Sequence, residues 1–158
     1  MSKLFLISFM LCYSICFSQS VPVWKMEDLE KRVKNNSDTT YIVNFWATWC
    51  APCVKELPAF DTIQTNHSKN KIKVILVSLD FKEDLTKKVI PFIQRKKTAS
   101  EVVLLDEVNG NYFIPKISDQ WTGALPGTWI INQKKSINRF FEKTITVAFL
   151  NNELQTIP

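Results

Sequence analysis

The chain has 158 residues, of which 46% are hydrophobic, so it has the size of one ordinary domain and enough apolar side chains for a substantial core. Lysine and arginine outnumber aspartate and glutamate by 20 to 15, a formal charge of +5. A charge this mild favours solubility over binding to an anionic partner or a membrane surface. We therefore expect no nucleic-acid partner, and we expect a monomer.

Residues 1–18 predict a secretory signal peptide. Lys3 precedes an apolar stretch over 4–17, and the small side chains at 16 and 18 suit cleavage after residue 18. The apolar stretch is shorter than the roughly 20 residues that a membrane-spanning helix needs, although an uncleaved N-terminal anchor stays open as an alternative. We expect residues 19–158 to form an exported, periplasmic domain, tethered to the membrane if the segment is kept.

The cysteines are the first candidates for chemistry. Without the signal peptide the chain keeps two of its four cysteines, Cys50 and Cys53, and a single close pair in an exported protein indicates function rather than stapling. The pair follows an apolar run and opens a helical pattern, where backbone N–H groups favour a thiolate. A Cys-x-x-Cys pair is also half of a zinc site. Zinc, however, prefers four ligands, and the chain has one histidine, His67, which we expect to be structural or solvated.

Apolar spacing and turn residues predict the elements along the chain. Helices are expected over 26–35, from the cysteines to about 66, over 83–97 and over 145–154, and strands over 40–46, 71–79, 102–105, 128–131 and 136–141. Pro58 is expected to kink the second helix. The stretch after residue 105 holds all three glycines, Gly110, Gly123 and Gly127, and is expected to be rich in loops.

This order of elements predicts an α/β fold. Crossover units of strand and helix are followed by an antiparallel pair of strands, which gives a mixed central β-sheet with helices on both faces. No repeat, low-complexity tract or linker in the sequence marks a second domain. Residues 19–158 are therefore expected to fold as one domain.

The segment from Asn44 to Glu56 resembles that of a known family. It reads Asn-Phe-Trp-Ala-Thr-Trp-Cys-Ala-Pro-Cys-Val-Lys-Glu, and an Ala-Leu-Pro motif at 124–126 follows about 70 residues later at the start of a strand. Together these motifs resemble the thioredoxin fold, and more closely the exported thioredoxin-like reductases of the TlpA/ResA type. Two features depart from that group: residues 20–39 look helical where the group opens with a β-hairpin, and Gly127 stands where a threonine is common.

The resemblance implies a role for each residue of the dithiol site. Cys50 is expected to be the attacking thiol, and Cys53, one turn further and more buried, to resolve the mixed disulfide. Pro52 suits the first helical turn, where its missing N–H costs nothing. Glu56 is expected to deprotonate Cys53, since classical thioredoxins use a buried aspartate at the position of Asn44, which cannot titrate. An ordinary solvated glutamate stays the alternative for Glu56.

The opposite wall of the site follows from the same resemblance. Pro126 matches the cis-proline that faces the dithiol in this fold, and the backbone of the preceding residue, Leu125, is expected to pair with an incoming substrate strand. A plain proline at the start of a strand is the alternative. Trp49 is expected to be a part-exposed docking surface, and Ala51 and Pro52 complete the expected substrate-binding residues.

The function that these residues predict is that of an exported thiol–disulfide oxidoreductase. We expect it to reduce disulfides in other exported proteins through a Cys50–Cys53 dithiol/disulfide cycle, without a cofactor or a metal. No histidine lies between the cysteines, whereas strongly oxidising relatives tend to carry one. A reductant outside the cytoplasm needs a membrane thiol-electron donor, and apocytochromes c are the best-known clients of the family. An oxidase or isomerase, and a copper chaperone with the same fold, are the alternatives.

Overall fold

Strands and helices alternate along most of the chain. The computed structural model describes residues 20–68 and 70–158, so the predicted signal peptide lies outside the described residues. In sequence order the elements are β1 Val23–Trp24, α1 Met26–Val33, β2 Thr40–Trp46, α2 Ala51–Asn66, β3 Ile72–Ser78, α3 Ile90–Lys96, β4 Glu101–Leu105, α4 Gly110–Ile117, β5 Gly127–Asn132, β6 Ile137–Phe141 and α5 Val147–Gln155. A 3₁₀ turn at Lys82–Asp84 and a π turn at Leu85–Val89 precede α3.

The described strands form one mixed sheet in the order β1-β4-β3-β2-β5-β6. The first four strands of this order are parallel, and β5 and β6 are antiparallel to their neighbours. Residues of α2, α3 and α5 pack in the core on one face, and residues of α1 and α4 pack in the core on the other. The predicted mixed sheet with helices on both faces is therefore confirmed.

β2 lies between β3 and β5 and is buried along its whole length. Its sequence, Thr-Tyr-Ile-Val-Asn-Phe-Trp, is rich in β-branched and aromatic residues, which suit a strand covered on both faces. Because side chains alternate along a strand, Ile42 and Trp46 enter one core while Val43 and Phe45 enter the other. Packing on both faces thus fixes the position of the segment that follows β2.

One edge of the sheet collects the loops that matter for function. The parallel strands β2, β3 and β4 all end at this edge, and β5 begins there because it runs antiparallel to β2, with Gly127 opposite Phe45. The residues after 46, 78 and 105 therefore lie at the same edge as the residues before 127. We call it the carboxyl edge.

The stretch expected to be rich in loops contains a helix that the sequence did not predict. α4 begins at Gly110, contains Pro115, and buries Phe113 and Ile117 in the core shared with α1. Glycine and proline are the two poorest helix formers, so their presence argues against a helix in this segment. The helix has only two buried positions, so its apolar periodicity is weak. Burial of these two side chains, four residues apart, stabilises the helix in place of local propensity.

Two further segments differ in detail from expectation. The start of the domain is neither a β-hairpin nor purely helical, because a two-residue strand, Val23–Trp24, pairs with the end of β4 before α1 begins. The helix expected over 83–97 is a regular α-helix only from Ile90; Pro91 lacks a backbone N–H to donate, and a π turn precedes it. Pro58 lies within α2, which continues to Asn66.

None of the helices that the structure describes combines the length and the apolar character needed to cross a bilayer.

Candidate active site

The two cysteines lie at the start of α2, on the carboxyl edge. Cys50 is the N-cap residue of the helix and Cys53 lies in its first turn; the two are joined in a disulfide with their Cα atoms 5.3 Å apart. The Cys50 sulfur also accepts a hydrogen bond of 3.4 Å from the backbone N–H of Cys53. The helix N-terminus places partial positive charge beside this sulfur, which stabilises a thiolate when the pair is reduced.

The surroundings of the two sulfurs differ. Cys50 is 6% exposed and Cys53 is fully buried, which is the order expected of an attacking and a resolving thiol. Around Cys50, Trp49 is 66% exposed and Ala51 and Pro52 are also exposed. Of the two sulfurs, that of Cys50 is therefore the one that solvent reaches, and three exposed residues surround it.

A loop before β5 brings Pro126 to the same edge of the sheet. The Leu125–Pro126 peptide bond is cis, as the resemblance predicted. Pro126 is buried and Leu125 is half-buried. Neither the N–H nor the C=O of Leu125 has a hydrogen-bond partner within residues 20–68 and 70–158. The loop thus offers a free backbone segment at the edge that holds the dithiol.

Gly127, the departure from the family pattern, has a packing explanation. A Cβ atom on Gly127 would lie 2.9 Å from Cζ of Phe140 and 3.4 Å from Cε2 of Trp121. Those aromatic rings, whose centroids are 5.2 Å apart, fill the space in which a side chain at 127 would stand. A side chain at 127 would therefore need Phe140 to shift, so close approach rather than backbone conformation favours glycine here.

Glu56 lies one turn beyond Cys53 and is only 3% exposed. Its Oε1 accepts a hydrogen bond of 2.8 Å from Nδ2 of Asn44, and its Oε2 accepts one of 2.6 Å from the backbone N–H of Ile145. Burial raises the pKa of Glu56 above its usual range, while the hydrogen bonds from Ile145 and Asn44 act in the opposite direction. Glu56 is therefore a buried, hydrogen-bonded carboxyl group, not a solvated helix residue.

Asn44 connects Glu56 to the strand that follows the cis-proline. Besides Glu56, its Nδ2 contacts Oγ1 of Thr128 at 3.2 Å and the carbonyl oxygen of Gly127 at 3.4 Å. The Gly127 carbonyl and the Glu56 carboxylate oxygens only accept, so they need the amide nitrogen as donor, which fixes the orientation of the side chain. Its Oδ1 is buried without a hydrogen-bond partner in the described part of the chain.

Asp80 is a residue of this edge that the sequence did not point to. It is buried, and its carboxylate accepts hydrogen bonds from the Thr48 backbone N–H at 2.9 Å, the Thr48 hydroxyl at 2.6 Å and the Ser78 hydroxyl at 2.8 Å. Thr48 lies two residues before Cys50, so Asp80 anchors the loop that leads to Cys50. The available clue was an aspartate directly after an apolar strand, a position at the carboxyl edge.

His67, the one histidine of the chain, lies outside the dithiol site. His67 lies at the C-terminal end of α2, where its Nδ1 contacts Asn70 at 3.0 Å. No group of three or more histidine, cysteine, aspartate or glutamate side chains that could hold a metal ion occurs among the described residues.

The fold and this site define a class of protein. A disulfide of the Cys-x-x-Cys type at the N-terminus of a helix, with a cis-proline loop at the same sheet edge, is the arrangement of a thioredoxin-like thiol–disulfide oxidoreductase. A solved thioredoxin-related protein from Neisseria meningitidis serogroup B has the same fold, with a TM-score of 0.64 at 22% identity over 75% of this chain and 84% of that one.

Sequence comparisons give the family. The pattern of the AhpC/TSA family matches residues 18–140, and the chain belongs to that family. Sporulation thiol-disulfide oxidoreductase A of Bacillus subtilis is 30% identical over 106 residues, 66% of this chain and 59% of that protein. Thiol-disulfide oxidoreductase ResA of Geobacillus thermodenitrificans is 23% identical over 149 residues, 91% of this chain and 79% of that protein. The chain is a thioredoxin-like protein of the TlpA/ResA type.

Proposed function

We propose that the protein is an exported thiol–disulfide oxidoreductase that reduces disulfides in other exported proteins. The observation that carries this proposal is the Cys50–Cys53 pair at the start of α2, with the buried carboxyl group of Glu56 one turn further along the same helix. The relatives named above support the class of reaction. The sequence of residues 1–18 supports export, either as a cleaved signal peptide or as an anchor.

The reaction starts from the dithiol form. The Cys50 thiolate attacks one sulfur of a client disulfide, forming a bond between Cys50 and the client, and the other client sulfur leaves as a thiolate and takes a proton. Cys53 then gives its proton to Glu56 and attacks the Cys50 sulfur. The Cys50–Cys53 disulfide forms, the second client sulfur leaves as a thiolate, and two electrons have passed to the client.

Glu56 suits the second step because of its burial. A buried carboxyl group with a raised pKa takes a proton from a thiol more readily than an exposed one. Its hydrogen bonds to Asn44 and Ile145 hold it in one position while the proton moves. Asn44 itself cannot accept the proton, so the acid–base role falls to Glu56.

The direction of electron flow rests on the residues between the cysteines. Ala51 and Pro52 add no positive charge to the helix N-terminus, so the reduced form is stabilised less than in a strongly oxidising protein. The product of each turnover is the Cys50–Cys53 disulfide, so a membrane thiol-electron donor is required to restore the dithiol. Apocytochromes c are the client class that the family resemblance favours.

Trapping the mixed disulfide tests the proposal. In Cys53→Ala, the client stays bonded to Cys50 and can be identified after gel separation without reductant. The double variant Cys50→Ala, Cys53→Ala is the matched control and should trap nothing. Reduced wild-type protein should also reduce insulin, a polypeptide with accessible disulfides. Absence of both trapped clients and reductase activity, together with one tightly bound copper ion per chain, would replace this proposal with the copper-chaperone alternative.

A further inference from the structure

A carboxylate outside the dithiol site holds the segment before the cis-proline, residues 122–125, which we call the proline loop. Glu142 follows the end of β6, and its oxygens accept hydrogen bonds from the Thr122 backbone N–H at 2.9 Å and the Ala124 backbone N–H at 3.1 Å. The Thr122 hydroxyl is a third donor to the same carboxylate. One side chain thus binds three donors of a four-residue loop.

The carbonyl group of Ala124 is held as well. It accepts a hydrogen bond of 2.9 Å from Nε1 of Trp121. Trp121 is buried, and its ring lies 4.8 Å from that of Phe45 and 5.2 Å from that of Phe140. Both backbone polar groups of Ala124 are therefore turned towards the protein, one to Glu142 and one to a ring fixed in the core.

The next residue is in the opposite situation. Leu125 has no hydrogen-bond partner for its N–H or its C=O anywhere in the part of the chain that the structure describes. A half-buried backbone segment with both groups free is suited to pair with an extended polypeptide. Because its neighbours on the N-terminal side are held by Glu142, the direction in which Leu125 presents these groups is fixed before a client arrives.

We propose that Glu142 is a positioning residue that holds the proline loop in the conformation in which Leu125 pairs with the backbone of a polypeptide client. This inference rests on the proposed function and adds a determinant of its specificity. A small disulfide offers sulfur atoms but no strand to pair, so its reaction with Cys50 does not use the proline loop. Glu142 therefore sets the preference for polypeptide over small disulfides without taking part in the bond exchange.

Glutamate is suited to holding the proline loop because both of its carboxylate oxygens accept hydrogen bonds. In Glu142→Gln one oxygen is replaced by an NH₂ group, which cannot accept from a backbone N–H, so at least one of the three bonds is lost. In Glu142→Ala all three are lost. The hydrogen bonds from Thr122 and Ala124 also lower the pKa of Glu142, so the carboxylate stays ionised at neutral pH.

The test compares two substrates in single turnover, with reduced protein and either insulin or bis(2-hydroxyethyl) disulfide, a small disulfide without peptide groups. We expect the rate constant for insulin to fall about threefold in Glu142→Gln and about tenfold in Glu142→Ala, through a weaker apparent affinity. The rate constant for bis(2-hydroxyethyl) disulfide should stay within about twofold of wild type in both variants. Hydrogen exchange at the Thr122 and Ala124 amides should become faster in the same order.

Glu153→Gln is the matched control, because it makes the same chemical change at a glutamate that pairs with Arg139 at 2.8 Å rather than with the proline loop. It should leave both rate constants unchanged. An unchanged insulin rate in Glu142→Ala, or an equal loss with insulin and bis(2-hydroxyethyl) disulfide, would overturn the inference. Wild-type protein that reduces neither substrate would instead overturn the proposed function. If Glu142→Ala does not fold, the Glu142→Gln comparison decides the question alone.

Discussion

Asn44 and Glu56 are joined by a buried hydrogen bond of 2.8 Å that links the central strand to the helix carrying the dithiol. The same amide nitrogen of Asn44 reaches Thr128 and the carbonyl of Gly127, directly after the cis-proline. Glu56, the carboxyl group nearest in sequence to Cys53, is therefore held in a fixed position relative to the helix that carries the dithiol and to the segment after the cis-proline. Since an asparagine amide does not titrate, the proposed mechanism assigns the proton of Cys53 to Glu56.

Replacing Glu56 with Gln should slow resolution and leave the first attack intact. Starting from a mixed disulfide between Cys50 and glutathione, we expect closure of the Cys50–Cys53 bond to slow by about 100-fold at neutral pH, the low end of what a positioned base contributes. Its pH dependence should then follow the ionisation of the Cys53 thiol alone. Glu153→Gln is the control for a lost carboxylate. A closure profile identical to wild type would remove Glu56 from the mechanism.

The same substitution should change how stability depends on pH. The pKa of Glu56 is raised in the folded state, above the 4.5 of an unperturbed glutamate, so the folded chain binds a proton more tightly than the unfolded chain. The contribution of Glu56 to the free energy of unfolding is fully present below about pH 4.5, and it is lost as the pH rises through the raised pKa. Denaturant titrations from pH 4 to pH 8 should show wild type losing free energy of unfolding relative to Glu56→Gln across this window. If the difference in free energy of unfolding between wild type and Glu56→Gln stays constant with pH, the prediction is wrong.

What the sequence predicted depends on short-range patterns. β2 is a continuous apolar run, the cysteines lie three residues apart at a helix start, and Pro126 opens a strand; each is visible within about ten residues. The short helix α4 was missed because Gly110 and Pro115 mask its two buried positions. Its stability comes from packing, which local propensity does not report.

Long-range hydrogen bonds explain the rest of what the sequence did not predict. Thr48 and Asp80 are 32 positions apart, and Thr122 and Glu142 are 20 apart. The position of Asp80 after an apolar strand indicates the carboxyl edge, but nothing local shows which loop either carboxylate holds. Only the sheet order, which places β3 beside β2 and β6 beside β5, brings them to the loops they hold.

Asp80→Asn should destabilise the protein and slow its reaction with every disulfide. The asparagine oxygen can still accept from the Thr48 N–H and the Ser78 hydroxyl, but the Thr48 hydroxyl must turn from donor to acceptor of the NH₂ group. Hydrogen bonds to a neutral amide are also weaker than those to a carboxylate, so we expect a cost of about 1–3 kcal/mol. The loop before Cys50 is loosened, and insulin and bis(2-hydroxyethyl) disulfide should both react more slowly. This parallel loss distinguishes Asp80 from Glu142. Thr48→Val, which removes only the hydroxyl donor, should cost less, about 1 kcal/mol by denaturant titration.

Gly127→Ala should lower stability through a clash with the ring of Phe140. The added methyl group would lie 2.9 Å from Cζ of that ring, so Phe140 must move, and overpacking of this kind costs about 1–3 kcal/mol. The free energy of unfolding from denaturant titration measures the loss. Phe140→Leu removes the clashing atom, and the double variant should therefore be less destabilised than the sum of the two single variants. If the losses in free energy of unfolding of the two single variants simply add in the double variant, contact with Phe140 is not the reason for glycine at position 127.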